Sequence, residues 1–145
     1  AGEDQRTGQA RWHFINRSYN FDSAAGIVYT VDVTKPYGER VSIKSMADGS
    51  PFSADSQYNV AMTSYRAAGG GDILSKGAGI DTDNMDERIV ARYDEIRNLL
   101  YAYIQKNGII KADVFGDPSK IGRWEFIPAS ARSAISSDMS LLFEK

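Results

Sequence analysis

The sequence predicts an α+β fold, a mixed or antiparallel sheet backed by a long helix, and three stretches carry that expectation. Between residues 27 and 33, Ile27, Tyr29, Val31 and Val33 alternate with Val28, Thr30 and Asp32. That is the period of two of a half-buried strand, with the β-branched enrichment strands favour. From 89 to 104, Ile89, Tyr93, Ile96, Leu100, Tyr103 and Ile104 recur at spacings of four, three, four, three and one, a single apolar stripe on a helix. Between the two, a strand-like run at 58–63 leads into Tyr65, Arg66, two alanines, the consecutive glycines Gly69, Gly70 and Gly71, and Asp72.

Each element has a local reason. Residues 1–11 are largely polar and read as a flexible N-terminal segment, and residues 12–145 as a single domain. Arg11, Trp12, His13, Phe14 and Ile15 make an aromatic cluster suited to a strand or a helix end. After the strand at 27–33, Pro36 and Gly38 mark a turn, and 40–46 is a second strand completing an antiparallel hairpin. Residues 47–51 turn the chain again, Phe52 anchors it, and 58–63 is a third strand. Residues 73–83 read as a loop. The long helix starts near Asp83 or Asn84, either able to cap, with Asp86 and Glu87 at the positive end of its dipole. Gly108 ends it. Short strands at 109–113 and 124–127, the second stopped by Pro128, and a short terminal helix containing Ala131 and Ile135 complete the chain.

The composition narrows the chemistry. The 145 residues, 42% hydrophobic and 25% charged, suit one globular domain able to bury a core. A net charge of −2 without a basic run argues against polymeric nucleic acid as a partner. No apolar stretch approaches the roughly 18 residues that span a bilayer. The absence of cysteine removes disulfides, thiolate metal sites and a thiol nucleophile. The lone histidine, His13, cannot supply the ligand set of a catalytic zinc or a His-rich two-metal centre. Its aromatic surroundings suit a structural residue better than a base. Neither a Walker phosphate loop nor a Gly-x-Ser-x-Gly nucleophile elbow is present.

What remains is the glycine loop. Consecutive glycines lose more conformational entropy on folding than any other residue. A domain keeps three where the backbone needs positive φ or where another group must come close. Tyr65 beside them offers a flat face next to bare backbone, which suits a planar polar ligand such as a nucleobase. A tight turn behind an ordinary core tyrosine fits the same residues. The acids Asp81, Asp83 and Asp86 offer a weak oxygen-ligand site, but they lack the internal turn glycine of a calcium loop. Helix capping and the helix dipole explain these acids better.

The segments together are more specific than any one of them. Tyr19-Asn20-Phe21-Asp22-Ser23-Ala24-Ala25-Gly26-Ile27-Val28-Tyr29, Lys35-Pro36-Tyr37-Gly38-Glu39-Arg40-Val41, Gly49-Ser50-Pro51-Phe52 and Tyr58-Asn59-Val60-Ala61 resemble the C-terminal domain of the 5′-nucleotidase family. Ser64-Tyr65-Arg66-Ala67-Ala68-Gly69-Gly70-Gly71 is most similar to its 2′,3′-cyclic-nucleotide 2′-phosphodiesterase/3′-nucleotidase branch. The resemblance implies a domain that binds the nucleoside while an N-terminal metallophosphoesterase domain of the same full-length protein, absent from this chain, holds two divalent metal ions. It implies a base held between two aromatic rings. Tyr65 matches one of them, and the second has no counterpart here and is expected upstream of Tyr19. Gly71 stands where 5′-nucleotidases place a ribose-contacting Asp, and Asp72 follows one residue later. Gly69 and Gly70 let backbone approach the ligand, and Tyr19 and Asn20 border the site in relatives. A periplasmic or cell-surface bacterial location is implied as well.

The expectation is thus a nucleoside-recognition part of a bacterial nucleotide phosphohydrolase. The chain itself would be inactive as an enzyme, with no cofactor of its own and a nucleoside or nucleotide as ligand. A scaffold kept only for interaction, with Tyr65 buried against the long helix, is the alternative. An autonomous enzyme built on the acids near Asp83 is a third.

Overall fold

The computed structural model describes residues 2–3, 10–11, 18–111 and 121–143. They fall into two compact units, Ala1–Phe52 with Pro118–Lys145, and Ser53–Asp117.

The first unit holds the sheet. Strands β3 (Ile27–Asp32) and β4 (Val41–Met46) form the expected antiparallel hairpin. Its register shifts between Val28 and Tyr29, where β4 carries Lys44 as an extra residue, the arrangement of a β-bulge. Strand β5 (Trp124–Ile127) adds to the other side of β3 in parallel, giving the order β4-β3-β5 and a mixed sheet. Two features seat β5. Gly26 N–H donates to the Ile121 carbonyl at 2.6 Å and Tyr29 N–H to the Arg123 carbonyl at 3.0 Å. Gly122, at φ +77, lies so close to the Ile27 carbonyl that a Cβ there would collide with backbone. Helix α3 (Ser130–Phe143) follows and packs beside β5, where Arg132 pairs with Glu125.

Strand alternation puts Tyr29, Val31, Trp124 and Phe126 on one face and Val28, Thr30 and Glu125 on the other. Tyr29, 7% exposed, is the buried residue of this unit among those described. Trp124 stacks on it at 5.8 Å and 11°, and Phe126 meets Trp124 edge-on at 5.1 Å. Phe21 tilts against Trp124 at 5.9 Å. The Tyr29 hydroxyl accepts the Ala24 N–H at 3.2 Å, so its polar tip is satisfied while the ring is buried. Within the polar N-terminal segment, β1 (Gly2–Glu3) pairs antiparallel with β2 (Ala10–Arg11). Trp12, His13, Phe14 and Ile15 of the aromatic cluster lie outside the described residues, as do residues 112 and 113.

The second unit begins with a turn, the Ser56 N–H donating to the Ser53 carbonyl at 3.2 Å, and then irregular chain. The third strand expected at 58–63 does not form. Its alternation is present, but Tyr58, Val60 and Met62 are exposed, Val60 to 71%. No strand is described in this unit for them to pair with, and a strand needs a neighbour to satisfy its backbone. A four-residue helix, α1 (Ser64–Ala67), comes next, then 3-10 and π-type turns at Gly70–Asp72 and Ile73–Gly77. The second of these takes up the start of the loop expected at 73–83, and residues 79–83 remain outside helix and strand. It buries Leu74 to 8% exposure, the one buried residue of this unit among those described.

The long helix is shorter than expected. Met85–Arg88 is a 3-10 turn, residues 89–95 are not helical, and α2 runs Ile96–Asn107. The excluded stretch carries Ile89, Val90 and Tyr93, residues that lose side-chain freedom in a helix. Val90 and Tyr93 gain no burial in return, at 79% and 82% exposed. The stretch retained has Leu, Arg, Ala, Gln and Lys, which favour helix. Gly108 closes α2 at φ +81, its N–H donating to the Ile104 carbonyl at 2.7 Å. None of α2 is buried. Residues 109–111 form no strand.

Candidate functional site

The glycine loop is built from its neighbours. Thr63, in extended conformation, caps α1 by accepting the Arg66 N–H on its hydroxyl at 3.3 Å. With so short a helix the chain turns back at once. Gly69 takes φ +91 and Gly71 φ +76, and Asp72 follows at φ +59, the only non-glycine with positive φ among the described residues. Asp tolerates this left-handed region better than most side chains because it is short and polar. Leu74, two residues on, fixes the loop to the buried point of its unit.

The glycines serve separate ends. Gly69 and Gly71 supply left-handed backbone. Gly69 also faces Thr82, whose hydroxyl would stand 3.1 Å from an added Cβ. Gly70 supplies closeness. An added Cβ would stand 2.5 Å from Tyr65 ring carbons and 2.5 Å from the Tyr65 carbonyl oxygen. The group that uses the missing side chain is therefore the Tyr65 ring itself. Tyr65 is nonetheless 58% exposed, so much of the ring stays open to solvent.

Arg66, which the sequence reading left without a role, completes the arrangement. Its Nη1 donates to the Gly70 carbonyl at 3.0 Å, and its guanidinium carbon lies over the Tyr65 ring, 5.4 Å from the centroid, within cation–π range. The short sequence separation was the available signal, but which side chain folds onto the ring depends on how the loop closes. Asp72 faces outward and pairs with Lys76 at 2.7 Å, both ends largely exposed. That pair contributes little to stability, and a ligand can compete for it.

The structure thus brings Tyr65, Gly69, Gly70, Gly71 and Asp72 into one loop of the second unit. Tyr19 and Asn20 lie in the other unit, on a 3-10 turn at Ser18–Asn20, with Tyr19 exposed and Asn20 half-buried.

The acids at 81–86 are engaged locally. Asp81 accepts the Asp83 N–H at 2.9 Å and the Asn84 side-chain amide at 3.0 Å, and Asp86 pairs with Arg92. Among the described residues no three His, Cys, Asp or Glu side chains gather in a way that could hold a metal ion. No described helix is long and apolar enough to cross a membrane. In the sheet unit an open groove of about 790 Å³ lies beside Thr30, Glu125 and Arg132. Its carboxylate is neutralised by Arg132, and the buried Thr30 hydroxyl has no hydrogen-bond partner.

Comparison with known proteins gives two matches. Residues 5–76 match the family described as 5′-nucleotidase, C-terminal domain. The trifunctional nucleotide phosphoesterase protein YfkN of Bacillus subtilis (strain 168) is 30% identical over 137 residues, covering 87% of this chain and 8% of that protein. The chain therefore spans about one twelfth of the length of this relative. No solved structure matches it.

Proposed function

We propose that the chain, whose residues 5–76 match the family described as 5′-nucleotidase, C-terminal domain, is a nucleoside-recognition part of a nucleotide phosphohydrolase. In this reading Tyr65 stacks on the base, while bond cleavage belongs to a metal-bearing domain elsewhere in a longer protein. The observation that carries the proposal is the exposed Tyr65 ring, 58% accessible and seated on Gly70 at the edge of a left-handed loop. A scaffold that had lost its site would turn this ring inward; here it faces solvent. Gly69 and Gly71 shape the loop, Gly70 seats the ring, and Asp72 offers a carboxylate for which a ribose hydroxyl can compete with Lys76. Tyr19 and Asn20 are secondary contacts in the proposal. Their support is the family's pattern, not proximity within one unit.

Stacking of one base on one ring contributes about 1–3 kcal/mol, so binding by the chain alone is weak. Titration with adenosine or 3′-AMP, followed by amide and aromatic NMR shifts, should perturb Tyr65 and residues 69–72 at millimolar ligand. Tyr65→Phe should keep the response, and Tyr65→Ala should weaken binding roughly fivefold or more. Shifts absent from this loop, or unchanged binding in Tyr65→Ala, reject the assignment.

A further inference from the structure

We propose that Arg66 is the positioning residue of the Tyr65 platform, holding the ring in stacking orientation before any ligand arrives. This rests on the nucleoside-binding reading of the same loop. A tyrosine 58% exposed on a four-residue helix is held by few neighbours. Immobilising such a side chain on binding carries an entropic cost that reduces the gain from stacking. Preorganisation removes that cost, and the loop contains a device for it. The Arg66 guanidinium reaches two targets at once: the face of the Tyr65 ring, 5.4 Å from its centroid, and the Gly70 carbonyl, 3.0 Å from Nη1. Gly70 in turn lies against the same ring. Ring, guanidinium and glycine backbone therefore form a closed set of three mutual contacts. The backbone of Arg66 is fixed as well, since its N–H donates to the Thr63 cap.

The geometry requires arginine in particular. A planar guanidinium can lie over a ring while an N–H at its edge reaches a carbonyl. An ammonium is a compact point donor that can satisfy one of these partners but not stack while doing so. Arg66→Lys should therefore keep part of the effect and Arg66→Met almost none.

The experiment uses the 145-residue chain with labelled tyrosine rings. Without ligand, Arg66→Met should move the Tyr65 ring-proton shifts toward random-coil values and raise fast mobility at the amides of residues 69–72, leaving Tyr29 and Trp124 in the other unit unchanged. With adenosine as probe, Arg66→Met should bind roughly three- to tenfold more weakly, from the loss of a cation–π contact and one charge-assisted hydrogen bond. Arg66→Lys should fall between. In a Tyr65→Ala background the Arg66→Met effect should vanish, because the two residues act as one unit. Unchanged Tyr65 shifts in Arg66→Met overturn the proposal. So does an Arg66→Met loss of equal size in the Tyr65→Ala background, or full affinity in a folded Arg66→Lys chain. If the parent chain does not bind adenosine at all, the nucleoside reading fails, while the ligand-free shifts still decide the role of Arg66.

Discussion

A methyl group on Gly70 has nowhere to go, because both ring and backbone of Tyr65 stand 2.5 Å from where it would sit. The carbonyl cannot swing aside as a flexible side chain would, so Gly70→Ala must displace α1 or the ring. Overpacking of this kind costs about 1–3 kcal/mol. A lower urea midpoint for this unit, with loss of any adenosine response, is the expected result. Asp72 gives the opposite case. Its φ of +59 places an L side chain in the left-handed region, which costs roughly 1–2 kcal/mol, and the exposed pair with Lys76 repays little of that. Asp72→Gly should therefore leave the urea midpoint unchanged or raise it, while lowering nucleoside affinity if the carboxylate meets the ribose. In the sheet, Thr30 has a buried hydroxyl without a partner. Thr30→Val keeps the β-branched shape and removes the unsatisfied group, so it should stabilise the chain by about 1 kcal/mol.

At the scale of elements, the β3–β4 hairpin is tied at both ends by carboxylates. Asp32, at the end of β3, accepts the Thr34 hydroxyl at 2.7 Å and the Thr34 N–H at 3.0 Å. Asp48, past β4, does the same with Ser50 at 2.6 and 2.9 Å. These bonds favour the ionised form, the hydroxyl most and the N–H next, and hold both carboxyls below the ordinary 3.8. A depressed folded-state pKa contributes stability that is complete above the unfolded value and disappears as pH falls through the folded one. The hairpin should thus be pH-independent near neutrality and loosen below about pH 3.8. Asp32→Asn with Asp48→Asn keeps an acceptor at each turn and should flatten the acid limb of stability against pH. The same hairpin was the most legible part of the sequence, because alternation and a Pro/Gly turn are local signals. Parallel β5 was less so. Trp124–Ile127 was readable as a strand, but its place beside β3 depends on Gly122 meeting Ile27 across most of the chain. The run at 58–63 has a strand's alternation without a strand's partner, which sequence period cannot reveal. The capping residues near Asp83 belong to a turn that ends before α2 begins. Of the candidate loop, the glycine run beside Tyr65 was readable in the sequence. Arg66 over the ring was not, since that contact exists only once Gly69 and Gly71 have turned the backbone.

On the scale of the whole molecule, the described residues leave little buried apolar surface: Tyr29 in one unit and Leu74 in the other. Ligand binding should be readable as stabilisation, about 1.4 kcal/mol at ten times the dissociation constant. Binding without cleavage is the stricter expectation. One histidine and no cysteine leave carboxylates as the main source of metal ligands. In the 81–86 cluster, Asp81 is occupied by Asp83 N–H and Asn84, and Asp86 by Arg92. Given manganese or magnesium and a phosphate monoester or a 2′,3′-cyclic nucleotide, the purified chain should show adenosine-competed binding at the Tyr65 loop and no turnover above a Tyr65→Ala control. Turnover that requires metal and disappears in Asp83→Ala would overturn the separation of recognition from chemistry and move the catalytic centre to the acids that flank Thr82. Because Thr82 lies against Gly69, such a centre would share its loop with the stacking ring, so Tyr65→Ala should then raise KM more than it lowers kcat. The two arrangements therefore differ in sign at one measurable step: metal-dependent product formation by this chain alone.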